Sequence, residues 1–390
     1  MKKVVETINK PIKLWLDDLE EGAMLQAENL ATLPFIFKHV ALMPDAHQGY
    51  GMPIGGVLAT KGVVVPNAVG VDIGCGMISV KTNLTSLDKD DRKKIMGLIR
   101  KTVPVGKGNN HKQDQEDWLN KDEIKRLKGW SIIEKEYKSS LRSLGTMGSG
   151  NHFCEIQQGN DDHIYIMIHS GSRNLGYKVA TYYNKLAISL NQRWFSSVPD
   201  KHQLAFLPLD TKEGQDYVTD MQTCVRFAEA NRSLMMKRVE EAFTEVLDNV
   251  EFYDAIDVAH NYARLENHFG QNVMVHRKGA TSAKLGEIGI IPGSQGHHSY
   301  IVEGLGNEQS FDSCSHGAGR AMSRTEAIKT LDLEAEIKKL DSLGVIHSVR
   351  NKKDLDEAPG SYKDIATVME NQKDLVNIIV ELTPLGTVKG

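Results

Sequence analysis

Asp72 and Cys75 stand three positions apart in the run Val71-Asp72-Ile73-Gly74-Cys75-Gly76. A hard oxygen ligand and a soft sulfur ligand on one Gly-rich turn can both point at a single ion. Glycines on either side of the cysteine leave little bulk in the way. Taken alone, the pair reads as a buried turn aspartate beside an inert thiol, because free cysteine is among the most buried residue types. Three histidines overturn that. His152, His169 and His260 each fall beside Gly, Ser or Asn, where a strand should meet a loop. One Asp, one Cys and three His exceed what one tetrahedral ion needs, but they suit two ions sharing a thiolate. Two-metal sites hold their ions about 3.5–4 Å apart and clamp the attacking and leaving oxygens of a phosphoryl transfer. The donor set leaves zinc, manganese and iron open, and three imidazoles with a thiolate favour zinc on affinity alone.

A second constellation lies at residues 313–320, where His316 precedes Gly317-Ala318-Gly319-Arg320. If a helix starts there, backbone N–H groups of small residues would cradle a phosphate and the arginine would complete the charge. A histidine at that point can donate to phosphate, act as a base, or attack phosphorus to give a phosphoramidate. No GxxxxGK[ST] occurs, so any nucleotide is held by something other than a P-loop. Arg173, in His169-Ser170-Gly171-Ser172-Arg173, is a second cation suited to phosphate.

The elements that must position these groups are legible in outline. The apolar run 63–71 reads as a buried strand entering the Asp72–Cys75 turn. Residues 43–56 are too glycine-rich for a helix and read as an ordered loop feeding strands 57–65 and 76–82. Helices are expected near 22–31, over 88–101, from the basic stretch to about 144, over 175–192 and over 214–246. The last of these has a core-like interior, and its polar residues need no function. Residues 153–157 and 164–169 form a hairpin around Asn160-Asp161-Asp162, which would draw His152 and His169 together. Short strands follow at 257–263, 272–276, 288–292 and 300–302, then a helix from about 323.

The 390 residues carry a net charge of −4, with 40% hydrophobic and 25% charged residues, the composition of an ordinary globular protein. No stretch approaches the ~20 apolar residues of a bilayer span, and the opening seven residues lack the apolar region of a secretory signal. Four cysteines in so long a chain do not make a disulfide framework, so reduced thiols and a cytoplasmic location are expected. Residues 92–142 hold 14 Lys and Arg against 7 Asp and Glu. That local +7 is either a phosphate-binding flank or a solvated helical region. No repeat or linker divides the chain, and the glycine-rich polar motifs run from residue 43 to the last three. One α+β (mixed α/β) domain spanning 1–390, with packed β-sheets surrounded by helices, is the expected architecture.

Many motifs recur in one order: MPDAHQGYGMPIGG, NAVGVDIGCGM, GTMGSGNHFCEI, HSGSRNLG, AHNYA, VHRKGATSA, IIPGSQG, GLGNEQSF, SCSHGAGRAMSR, SYKDI and the closing VKG. On these the chain resembles the RtcB-type tRNA-splicing RNA ligases from end to end. The resemblance implies joining of an RNA 3′-phosphate or 2′,3′-cyclic phosphate end to a 5′-hydroxyl end, with GTP and two Mn²⁺ ions. It implies Asp72, Cys75, His152, His169 and His260 as metal ligands with Cys75 as bridge, and so manganese in place of zinc. His316 is implied as the nucleophile that takes the guanylyl group, with Arg173 and Arg320 holding RNA or triphosphate. The guanylate pocket carries over to Asn151, Glu155, Asn261, Ser294, Ser299, Gly317, Ala318, Gly319 and Lys389, with Tyr362 stacking on guanine. Gln295 stands where the family commonly has Met, at a position expected to meet the nucleotide through backbone; His297-His298 is a further departure, expected at the surface. The resemblance leaves open tRNA splicing against RNA repair, the oligomeric state, and any need for an archease-type activator. The competing reading is a binuclear metal phosphoesterase that acts on RNA ends without ligation.

Overall fold

A computed structural model of the chain describes residues 1–120, 122–123 and 132–389. Within them lie two large β-sheets and two small ones, with helices around the outside: a mixed α+β fold. The seven-stranded sheet has the spatial order Ile256–Ala259, Gly76–Lys81, Ile164–Ser170, Phe153–Gly159, Val376–Lys389, Ser299–Gly304, Ile288–Ile291, antiparallel throughout. Strand periodicity of two sorts its side chains. Ile164, Ile166 and Ile168 face one way, onto Met235, Val239 and Phe243 of the helix Lys212–Val246 and Ile95 and Ile99 of the helix Lys89–Thr102. Tyr165 and Met167 face the other way, against Ile290, Ile301 and Leu382. His169, in step with them, shares that second face. Each buried Ile or Leu contributes about 1.5–3 kcal/mol, so the sheet is rigid where the chemistry is mounted.

The six-stranded sheet has the order Lys3–Val5, Ile12–Leu14, Ile36–Tyr50, Met52–Thr60, Gln271–Lys278, Asn261–His268. Val40 and Leu42 pack towards the helix Glu21–Ala31, whereas Ala41 and Met43 enter the opposite core beside Trp15 and Phe311. Under this sheet Arg277, wholly buried, donates to Glu266 from Nη1 at 2.6 Å and Nη2 at 3.0 Å, and His268 approaches the same carboxylate at 3.0 Å.

Several expectations need correction. Residues 43–56 are not a loop: they belong to the long hairpin Ile36–Tyr50 and Met52–Thr60, bent by register shifts that let polar residues face a cavity. The strand expected over 63–71 stops at Val64, because Pro66 cannot donate to a ladder and opens a 3-10 turn at Pro66–Ala68. The single strand expected at 257–263 is two, one in each large sheet, with His260 at the crossing between them. The loop at 316–319 does not begin a helix; the next helix is Arg324–Thr330, capped by the Ser323 hydroxyl. Helix resumes at Ile133–Ser143 in the basic stretch, while Lys121, Lys125, Arg126 and Lys128 fall outside the described residues.

Candidate active site

Four adjacent strands of the seven-stranded sheet end at one edge, and each end carries a ligand-type residue. Register makes the alignment explicit: Ala259 faces Gly76, Met77 faces His169, and His169 faces Phe153. Hence His260, Cys75, His169 and His152 converge although they span 185 residues of sequence. Asp72 completes the group from the turn before Cys75. Ligating atoms form two sets, Cys75–His169–His260 and Asp72–Cys75–His152, each with all its atoms within 4.8 Å of one another and with Cys75 common to both.

The protons in this cluster are placed by its outer partners. His152 Nδ1 donates to the Met147 carbonyl at 2.9 Å, and His169 Nδ1 to the Asn151 carbonyl at 3.0 Å. Both Nε2 lone pairs therefore face inward. His152 Nε2 lies 3.1 Å from an Asp72 oxygen and 3.4 Å from Cys75 Sγ. His169 Nε2 lies 3.3 Å from both Cys75 Sγ and His260 Nε2. At the His152–Asp72 contact an imidazole lone pair faces a carboxylate oxygen, an arrangement that a cation relieves. Burial lowers the His169 and His260 pKa values far below the histidine range, keeping both neutral and able to ligate. Burial and the Asp72 charge push the Cys75 thiol up, so a thiolate there requires a bound cation. The donor set fits two metal ions.

Glycine makes the close approaches possible. A Cβ on Gly171 would lie 2.2 Å from Asp72 Oδ1, and one on Gly148, at φ +90°, only 2.1 Å from Arg173 Nη2. Arg173 thus lies across the Gly148 backbone, with Nη1 3.3 Å from the His152 ring and Nε donating to Thr146 Oγ1 at 3.3 Å.

Two polar residues of the long helix, expected to need no function, hydrogen-bond to the loops around the cluster. Asn231 and Arg232, both fully buried, point at the loops that carry the ligands. Asn231 bridges Thr146, Ser170 and Gly171. Arg232 donates to the Gly74 carbonyl at 2.9 Å and the Ser170 carbonyl at 3.1 Å while paired with Asp257. Sequence reasoning missed them because periodicity marks a buried helix face without saying what lies opposite it.

His316 follows the short strand Ser313–Ser315, whose partner Ala280–Ser282 hydrogen-bonds back to His260. Its ring lies 4.7 Å from that of His260. Nδ1 is 2.6 Å from Oδ2 of Asp45, a fully buried carboxylate that also accepts the His316 backbone N–H at 3.2 Å. A carboxylate accepts, so Nδ1 carries the proton and Nε2 keeps its lone pair. Asp45 stood in the sequence within the MPDAHQGYG motif, but only the hairpin bend shows what it faces.

His316 borders a cavity of about 570 Å³ together with Asn151, Glu155, Ser294, Gly317, Ala318, Gly319, Arg320, Tyr362 and Lys389. Burial pushes the Glu155 carboxyl up to about 7, against hydrogen bonds from Thr387 and Gln157. Arg320 lies over the Tyr362 ring at 5.3 Å. Two expected pocket residues do not border the cavity. The Asn261 side chain links Asp72 and Gly279 backbone, and buried Ser299 accepts from Gly293 N and Gln157. His298 is exposed as expected, whereas His297 is half-buried with Nδ1 2.9 Å from Ser294 Oγ. Gln295 turns its side chain away to Glu357 and Ser348 backbone.

Comparison with known proteins identifies a family. Residues 26–390 match a family model described as tRNA-splicing ligase RtcB. The chain is 40% identical to RNA-splicing ligase RtcB1 of Escherichia coli over all of this chain and 99% of the relative. It is 34% identical to tRNA-splicing ligase RtcB of Methanococcus maripaludis, over 97% of this chain and 93% of the relative. The match over residues 26–390 and these identities over nearly the whole chain make it a member of the RtcB family.

Proposed function

We propose that this chain is an RNA ligase that uses GTP and two Mn²⁺ ions to join RNA 3′-phosphate or 2′,3′-cyclic phosphate ends to 5′-hydroxyl ends, in tRNA splicing or RNA repair. Residues 1–390 act as one catalytic domain, since the site draws on the chain from Asp45 to Lys389. The cytoplasm suits its four free, buried cysteines. One observation carries the reading: His316, oriented by Asp45, borders a nucleotide-sized cavity beside the Cys75 cluster.

Cys75, His169 and His260 would hold one ion, and Asp72, Cys75 and His152 the other. Bound there, the ions supply Lewis-acid stabilisation of phosphoryl charge. The rest is the work of the chain. His316 Nε2 attacks the α-phosphorus of GTP; the P–N bond forms as the bond to pyrophosphate breaks, and the Asp45 carboxylate stabilises the charge on the imidazole. An RNA 3′-phosphate oxygen then takes the guanylyl group and frees His316. The RNA 5′-hydroxyl attacks the activated 3′-phosphorus and releases GMP. A cyclic phosphate is first opened by hydrolysis. Tyr362 stacks on the base, Glu155 accepts from its N–H edge, and Arg173 and Arg320 bind phosphate groups.

The test is an RNA pair with 3′-phosphate and 5′-hydroxyl ends, incubated with GTP and MnCl₂. Joined product that disappears without GTP and in His316→Ala is expected. Trimming of ends with no joining under any condition would make the protein a phosphoesterase. Adding an archease-type protein to the same assay reads whether turnover needs an activator.

A further inference from the structure

Glu357 ends the 3-10 turn Lys352–Glu357 and is buried at 5% exposure, behind the cavity wall. Four side chains that border the cavity converge on its one carboxylate. Lys389 Nζ lies 3.0 Å from Oε2, and Arg320 Nη1 and Arg324 Nη2 each lie 3.3 Å from Oε1. The Tyr362 hydroxyl donates to Oε2. These groups come from four separate segments: the loop after His316, the first turn of the helix Arg324–Thr330, the residue after the turn Pro359–Ser361, and the C-terminal strand.

We propose that Glu357 is the positioning residue of the nucleotide pocket, holding Lys389, Tyr362, Arg320 and Arg324 in their binding geometry before GTP arrives. This rests on the reading of the cavity as the GTP site. Three long cations facing one space repel each other and would otherwise spread over many rotamers. A single buried carboxylate paired with all of them removes both problems. It also fixes the Tyr362 ring, which the core holds and over which Arg320 lies. Burial by itself would raise the Glu357 carboxyl, but Lys389, Tyr362 and Arg324 hold it below the usual carboxylate range, so it stays ionised in this role.

The experiment compares wild type, Glu357→Gln and Glu357→Asp in guanylylation by GTP and by ATP, with unfolding midpoint and Mn²⁺ binding as controls. Glu357→Gln keeps the shape but loses the charge. Its KM for GTP should rise about tenfold or more with kcat at saturation changed less than about threefold, and GTP-over-ATP preference should narrow. Glu357→Asp should recover part of both, and it carries the test alone if the Gln variant does not stay folded. Wild-type KM and nucleotide preference in a folded Glu357 variant would overturn the proposal, as would loss of kcat at unchanged KM. A wild-type protein that binds no GTP at all would remove the nucleotide-pocket reading itself, a result the Glu357 variants cannot mimic.

Discussion

At the scale of single residues, the proposed chemistry depends on where protons sit. Asp45 fixes the His316 tautomer, and removing an orienting carboxylate of this kind drops catalysis by about 10²–10⁴-fold. Asp45→Asn should therefore lose guanylylation to that extent while GTP affinity changes little, measured by single-turnover labelling beside equilibrium binding. Cys75 serves both ligand sets, so Cys75→Ala should lose metal binding and guanylylation together; a fully active variant would sink the shared-thiolate assignment. Glu155 gives a pH signature. Its carboxyl is pushed up to about 7 by burial, so it accepts a base N–H as an ionised, stronger acceptor above that pH and as a neutral, weaker one below it. The KM for GTP should rise as pH falls from 8 to 6, and Glu155→Gln should flatten that slope. The sign for folding is opposite: with its folded pKa raised, the Glu155 contribution to stability is complete below the ordinary carboxylate pKa and lost as pH rises through about 7.

At the scale of elements, the ligand-type residues that cluster were legible as candidates and their mounting was not. Chemistry-bearing side chains on glycine-rich junctions announce themselves by type, which is how Asp72, Cys75 and the histidines could be read from the sequence. Whether a stretch is loop or bent strand depends on its pairing partner, so residues 43–56 read locally as a loop and nothing local shows what Asp45 faces. His260 sat inside what looked like one strand, because nothing local marks the point where a chain changes sheets. Asn231 and Arg232 were likewise indistinguishable from solvated helix residues. Arg232→Met tests the clamp: it removes the donor to Gly74 and Ser170 and leaves Asp257 without its partner. Stability should fall by about 3 kcal/mol, and Mn²⁺ affinity by about 10–100-fold, read by urea unfolding and metal titration. Unchanged metal affinity would mean that the ligand loops hold themselves.

At the scale of the molecule, the two large sheets are joined through the site, since His260 links them and His316 reaches from under one to the edge of the other. Global stability therefore depends on pairs remote from the chemistry. Burial alone would raise the Glu266 carboxyl, but His268 and Arg277 hold it well below the usual carboxylate range. A depressed pKa contributes stability above the unfolded value and loses it as pH falls. Wild type should lose stability on acidification below about pH 4. Glu266→Gln should be weaker by about 3–5 kcal/mol at pH 7, with a flatter acid limb in denaturant titrations at each pH. Overall fold class and the end-to-end extent of the family were plain in the sequence because the motifs are many and spread over the chain. The stacking of the sheets was not, since it rests on long-range register.

His316 is the group proposed to make the covalent bond. Incubating the protein with GTP and MnCl₂, digesting it under basic conditions and locating the guanylate by peptide mass spectrometry tests it directly. An acid-labile guanylate on His316 that vanishes in His316→Ala is expected. A guanylate mapped to Lys389, or to any other residue, would contradict it.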